Sequence, residues 1–153
     1  KHIMSRSKIE VHESMMRLLT EKLTQARLDF ALAKESRDSD TKSSAGDKYE
    51  TGREMMQREM DKLSASIDTY QKQLVSMQAI PATKPQNRVG IGSLIETNFE
   101  TYYLSIGLGA IPYGTEIVYA ISPESPLGEL LKGKREGDSL ELRGRKITIN
   151  HLS

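Results

Sequence analysis

The sequence predicts an α+β chain, with two long helices followed by a small antiparallel sheet that carries one short helix. Three observations predict it. Apolar residues recur at alternating steps of three and four from Ile9 to Met77, with one polar interruption. A short polar run with two prolines, Ile80 to Arg88, comes next. From Val89 onward the apolar period shortens to two, between glycine-containing turns. The first pattern is that of helices packed along a seam, the last that of half-buried strands.

The first seam reads Ile9, His12, Met16, Leu19, Leu23, Ala26, Phe30 and Ala33, on a helix expected from about Ser7 to Glu35. Its other positions include Glu13, Arg17, Glu21, Lys22, Arg27 and Asp29, a mixed-charge face suited to water. The second seam reads Tyr49, Gly52, Met56, Met60, Leu63, Ile67, Tyr70, Leu74 and Met77. Two seams joined by a short break fold most simply into an antiparallel coiled-coil hairpin, expected over residues 5–79. A helix of thirty residues is about 45 Å long, so the break is expected at the tip of a rod. Pairing within the chain uses both seams, which predicts a monomer. A coiled-coil adaptor, binding a partner helix along its flank, is the competing structural reading.

The break, Ser36 to Gly46, is rich in residues that bond their own backbone and resist helix. Ser44, three residues before Asp47, is the expected cap of the second helix. Asp38, Asp40 and Asp47 cluster there and are the candidate functional residues of the tip. Lys34, Arg37, Lys42 and Lys48 balance Glu35, Asp38, Asp40 and Asp47. A loop built to hold a divalent cation ordinarily carries excess negative charge, so turn and cap chemistry is the simpler reading of these carboxylates.

Residues 80–88 are expected to link the hairpin to a module at 89–153. Strands are expected at 93–97, 101–106, 116–122, 139–143 and 146–151. Ser125 as N-cap, Pro126 in the first turn and Gly133 beyond the end predict a short helix between the third and fourth. Leu127, Leu130 and Leu131 are its expected buried face. The pairs around Ile91 and Leu108 (Gly90 with Gly92, Gly107 with Gly109) lack the lysine and helix of a phosphate loop and read as turns.

Composition narrows the function classes. With no cysteine, disulfides, thiolate metal sites and thiol nucleophiles are excluded. The three histidines, His2, His12 and His151, are scattered and suggest no metal constellation. Lys and Arg number 14 against 13 Asp and Glu through Ile80, and 8 against 8 beyond it. This even spread lacks the basic stripe of a nucleic-acid binder, so direct sequence-specific nucleic-acid binding is not expected. No apolar run is long enough to span a bilayer, and no secretory pattern opens the sequence. A cytoplasmic address without membrane contact is the expectation.

The stretch AISPESPLGELLKGKREGDSLEL, Ala120 to Leu142, combines an Ile-Ser segment, a Ser-Pro pair opening a short helix, a Gly-Lys, a Gly-Asp and a strand. Together with Gly92-Ser93-Leu94 and the helical hairpin, it resembles the Gre transcript-cleavage and elongation factor family (GreA and GreB). The stretch SSAGDKYETGREMM, Ser43 to Met56, resembles a Bacteroidetes-type branch with an altered tip. The resemblance implies an FKBP-like fold for residues 89–153, docking at the secondary channel of bacterial RNA polymerase. It implies that Glu124, Ser125 and Pro126 bind the polymerase, and that the rod carries its tip toward the polymerase active site.

In cleavage-competent members of the family, two tip carboxylates help the polymerase's second metal activate water, a two-metal arrangement. They stand seven and four residues before a tyrosine. Counting back from Tyr49 reaches Lys42 and Ala45 instead. Channel entry is therefore implied, and the effect on transcript cleavage divides into two expectations. One is a cleavage stimulator using Asp38, Asp40 or Asp47 with Mg2+ shared with the polymerase. The other is a non-cleaving modulator or inhibitor that occupies the channel. Neither needs an active site or cofactor of the chain's own. The FKBP-like fold also raises prolyl isomerisation, for which Tyr102, Tyr103, Tyr113 and Tyr119 are a sparse aromatic supply.

Overall fold

The structure, a computed structural model, describes residues 5–39 and 47–153, with side chains at 7–39 and 50–153. The described residues form α1 (Ser5–Ser39), α2 (Asp47–Gln78), β1 (Leu94–Thr97), β2 (Thr101–Leu104), β3 (Gly109–Tyr113), β4 (Glu116–Ile121), α3 (Pro126–Leu131), β5 (Ser139–Leu142) and β6 (Arg145–Leu152). They fall into two compact units: Lys1–Met16 with Ser76–Ser153, and Arg17–Val75. No helix among the described residues is long and apolar enough to cross a membrane.

The unit Arg17–Val75 is helical. Its stretch of α1 has neither glycine nor proline, and that of α2 has a single glycine, Gly52. On α1, Leu19, Leu23, Ala26 and Ala33 are buried; on α2, Met60 is buried and Met56, Leu63, Ile67, Tyr70 and Leu74 are half-buried. These positions follow the expected seams. Outward positions carry one-turn pairs, Asp68 with Lys72 at 2.9 Å and Gln57 with Asp61 at 3.0 Å, each contributing about 0.2–0.5 kcal/mol. Helix α1 ends at Ser39, four residues past its expected end at Glu35. Arg37 accounts for this: its guanidinium donates to Gln57 Oε1 on α2 at 2.8 Å, which holds the last turn. A basic residue there also suits the helix dipole. Ser44, the expected cap of α2, and Asp40 lie outside the described residues.

The other unit contains the sheet, with strand order β3-β4-β2-β1-β6-β5. Its core gathers Val89, Ile95, Leu104, Leu131, Leu140, Ile147, Ile149 and Leu152. The sheet is mixed, which corrects the expected antiparallel arrangement: β2 and β4 pair in parallel, from Thr101 opposite Val118 to Leu104 opposite Ile121. The cause is β3, a strand the sequence does not advertise. It pairs with β4 as an antiparallel hairpin, and β4 is then inserted between β3 and β2. The four residues Ser105 to Leu108 reach at most about 14 Å, enough to cross the roughly 10 Å of two strand spacings. Pro112, which has no N–H to give, is tolerated because β3 is an edge strand.

The first turns of α1 belong to this unit, and burial there departs from the expected seam. Lys8, Val11 and Met15 are buried, whereas Ile9, His12 and Met16 are half-buried. Here α1 meets β2 and the residue after it: His12 bonds Tyr103, and Met15 Sδ lies 4.0 Å from Ser105 Oγ. Its buried face widens accordingly. Residues 80–88, read from sequence as a linker, are tied to the unit: Ile80 is buried, and Gln86 bonds Ser93 Oγ and the Ile91 carbonyl.

Candidate functional site

Three local choices build the start of α3. Ser125 is its N-cap, in extended conformation at φ −66° and ψ 155°. The Ser125 Oγ accepts from the Gly128 N–H at 3.0 Å and donates to the Ser122 carbonyl at 2.7 Å, closing the loop that precedes the helix. Pro126 follows in the first turn, where a missing N–H costs nothing. Gly128 is sterically required: a Cβ there would overlap the Ser122 carbonyl oxygen and lie 3.0 Å from that of Pro123.

The helix is anchored by Leu131, buried in the core, with Leu127 packed against the same cluster. Leu130, expected to be buried with them, is 39% exposed. In a helix this short, Leu127 and Leu131 share one face, and Leu130 shares with Pro126, four residues earlier, a flank about a quarter turn away. Pro126 and Glu124 are also exposed. Glu124, Pro126 and Leu130 are thus exposed around the start of α3, with the capping Ser125 half-buried between the first two.

The tip candidates fare differently. Asp38 is exposed in the last turn of α1, 3.1 Å from the Arg37 guanidinium. Its charge is therefore locally balanced. Asp40 lies outside the described residues; Asp47 begins α2, and its side chain lies outside them as well. Among the described residues, no three His, Cys, Asp or Glu side chains are grouped so as to hold a metal.

The tyrosines of the sheet are engaged in packing. The Tyr103 ring is fully buried and its hydroxyl meets His12 Nδ1 at 2.7 Å; burial pushes its phenol pKa up. The Tyr113 hydroxyl donates to Glu10 Oε1 and accepts from the Ser7 hydroxyl, each at 2.9 Å. Tyr102 and Tyr119 lie across the parallel pair with ring centres 6.3 Å apart.

No protein-family model matches the chain, and no curated protein matches it.

Proposed function

We propose that this chain is an accessory factor of the Gre type, which binds bacterial RNA polymerase at the secondary channel and has no active site of its own. The observation that carries the reading is the Ser125-capped start of α3, which leaves Glu124, Pro126 and Leu130 exposed. Exposed apolar side chains and a carboxylate on a capped helix start suit recognition of a protein surface better than turnover of a small molecule.

In this reading the two long helices form an antiparallel coiled-coil hairpin and the mixed sheet with α3 is FKBP-like. Two contacts support the antiparallel sense: His12 hydrogen-bonds the Met77 carbonyl, and Arg37 hydrogen-bonds Gln57. The chain works in the cytoplasm as a monomer, and the only metal in the scheme is the polymerase's Mg2+. It occupies the channel without stimulating cleavage. Two observations favour that version: the tip sequence places Lys42 and Ala45 where the family's carboxylates stand, and Asp38 is paired with Arg37. Prolyl isomerisation is disfavoured, because Tyr103 and Tyr113 are committed to side chains of α1.

The test is retention of core polymerase from a bacterial lysate by the immobilised full chain. Glu124→Ala with Pro126→Ala is expected to abolish retention while leaving the circular dichroism spectrum unchanged. Equal retention by the double variant would exclude this patch as the docking surface.

A further inference from the structure

The β5–β6 hairpin turns through Arg143 and Gly144, between the paired Leu142 and Arg145. Both turn residues have positive φ, 53° and 78°. That geometry suits the twist of the strands but ordinarily selects Asn, Asp or Gly at the first place. Arg143 is the one non-glycine residue with positive φ among the described residues. An arginine thus stands where it costs stability. Arg145 and Lys146 follow directly, and all three side chains are exposed.

Arg145 is held in place. Its guanidinium carbon lies 4.4 Å from the centre of the Phe99 ring, in the turn between β1 and β2. Asn98 fastens that turn to β6: its amide donates to the Lys146 carbonyl at 3.1 Å, and its Oδ1 accepts the Thr148 N–H at 2.8 Å. A guanidinium stacked on an aromatic ring keeps its fork of N–H donors available to a carboxylate. Among the described residues no carboxylate is ion-paired with Arg143, Arg145 or Lys146. Phe99 is itself 44% exposed, a large apolar side chain in water beside the cations.

We propose that this hairpin tip docks an acidic segment of a partner protein. The Arg145 fork receives a carboxylate, Arg143 and Lys146 add charge, and an apolar side chain of the segment rests on Phe99. The match is one of charge and of apolar surface together. A nucleic-acid strand fits less well, since it asks for a longer basic track. Beyond Ile80, Lys and Arg number 8 against 8 Asp and Glu; Glu141 stands opposite Lys146 across the hairpin, and Glu100 follows Phe99. Nothing in this recognition requires the polymerase or residues 124–126.

The test is an NMR titration of the full chain labelled with 15N-arginine, following the side-chain Nε–Hε signals. The probes are a blocked Glu-Glu-Leu-Glu-Glu peptide, its Gln-Gln-Leu-Gln-Gln counterpart and an oligothymidylate. The acidic peptide is expected to shift the Arg145 signal saturably, with affinity falling as salt is raised. The glutamine peptide should leave it unmoved. Arg145→Lys keeps the charge and loses the fork; read at Arg143, it is expected to weaken the acidic peptide about tenfold. Arg143→Asn relaxes the turn, and is expected to raise the thermal midpoint while weakening the peptide severalfold. No saturable response to the acidic peptide, an equal response to the glutamine peptide, tighter binding of the oligothymidylate, or unchanged affinity in either variant would overturn the proposal.

Discussion

The imidazole of His12, on α1, and the phenol of Tyr103, on β2, share a 2.7 Å hydrogen bond with their rings nearly perpendicular. The His12 ring also bonds the Met77 carbonyl. A carbonyl only accepts, so the neutral tautomer that satisfies both partners gives its N–H to Met77 and accepts the Tyr103 hydroxyl at Nδ1. Three segments far apart in sequence are thereby joined at one polar contact beside the core. Tyr103→Phe keeps the ring and removes the hydroxyl, leaving the imidazole nitrogen unsatisfied. The expected loss is about 1–3 kcal/mol, measurable as a lower urea midpoint with an unchanged slope.

The same pair predicts a pH dependence. Burial holds the His12 pKa below its usual value, opposed by Glu13 and the Met77 carbonyl. The unfolded chain therefore takes up a proton at this residue more readily than the folded one. Stability is expected to be full above about pH 6.5, and to fall as the pH drops from there toward the lowered folded value. His12→Gln should flatten that decline in unfolding curves collected from pH 7.5 to 5. An equally steep decline in the variant would assign it to other groups.

Lys8 carries the opposite lesson for the alkaline side. Its folded pKa of about 8 lies below the ordinary lysine value of 10.5, so the folded state releases this proton first. Between those values stability is expected to rise with pH. Thermal melts of Lys8→Met should lack that rise, and the difference between wild type and variant should shift in favour of wild type from pH 8 to 10.

At the start of α3, Ser125→Ala removes the cap and is expected to cost about 1 kcal/mol, whereas Ser125→Asp should largely preserve it. Gly128→Ala is expected to be the more damaging change, because its Cβ meets backbone carbonyls that cannot move without opening the loop. Hydrogen exchange at the Gly128 and Glu129 amides reports both. Slow exchange of these amides in Gly128→Ala would contradict the steric argument.

For the tip, a stalled elongation complex incubated with the protein is expected to show no transcript shortening beyond the rate of polymerase alone. Shortening that disappears in a combined Asp38→Ala, Asp40→Ala, Asp47→Ala variant would instead make this chain a cleavage stimulator.

Much of the architecture was legible where one interaction dominates. Leu19, Leu23, Ala26 and Met60 are buried as their spacing demands, since within their unit the helices have only each other to pack on. Ser125-Pro126 announced α3 because capping is a local matter. Strand β3 was illegible because Gly109 and Pro112 carry the marks of a turn, and their place at a sheet edge is decided by pairing with β4. Val11 and Met15 are buried in place of the expected core positions, and Met15 meets Ser105, ninety positions away in sequence. Lys8 could not be read as buried, because its charge places it in water by default. Of the candidate docking residues, Glu124, Ser125 and Pro126 come from the resemblance alone, whereas the exposure of Leu130 follows from seating the short helix on Leu127 and Leu131.

The most direct measurement replaces Asp38 with a photo-crosslinking residue and irradiates the full chain in complex with bacterial core polymerase. The account predicts adducts to polymerase residues lining the secondary channel near the active site, lost in the Glu124→Ala, Pro126→Ala variant. Adducts confined to the outer surface of the polymerase, or none from a complex that demonstrably forms, would contradict it.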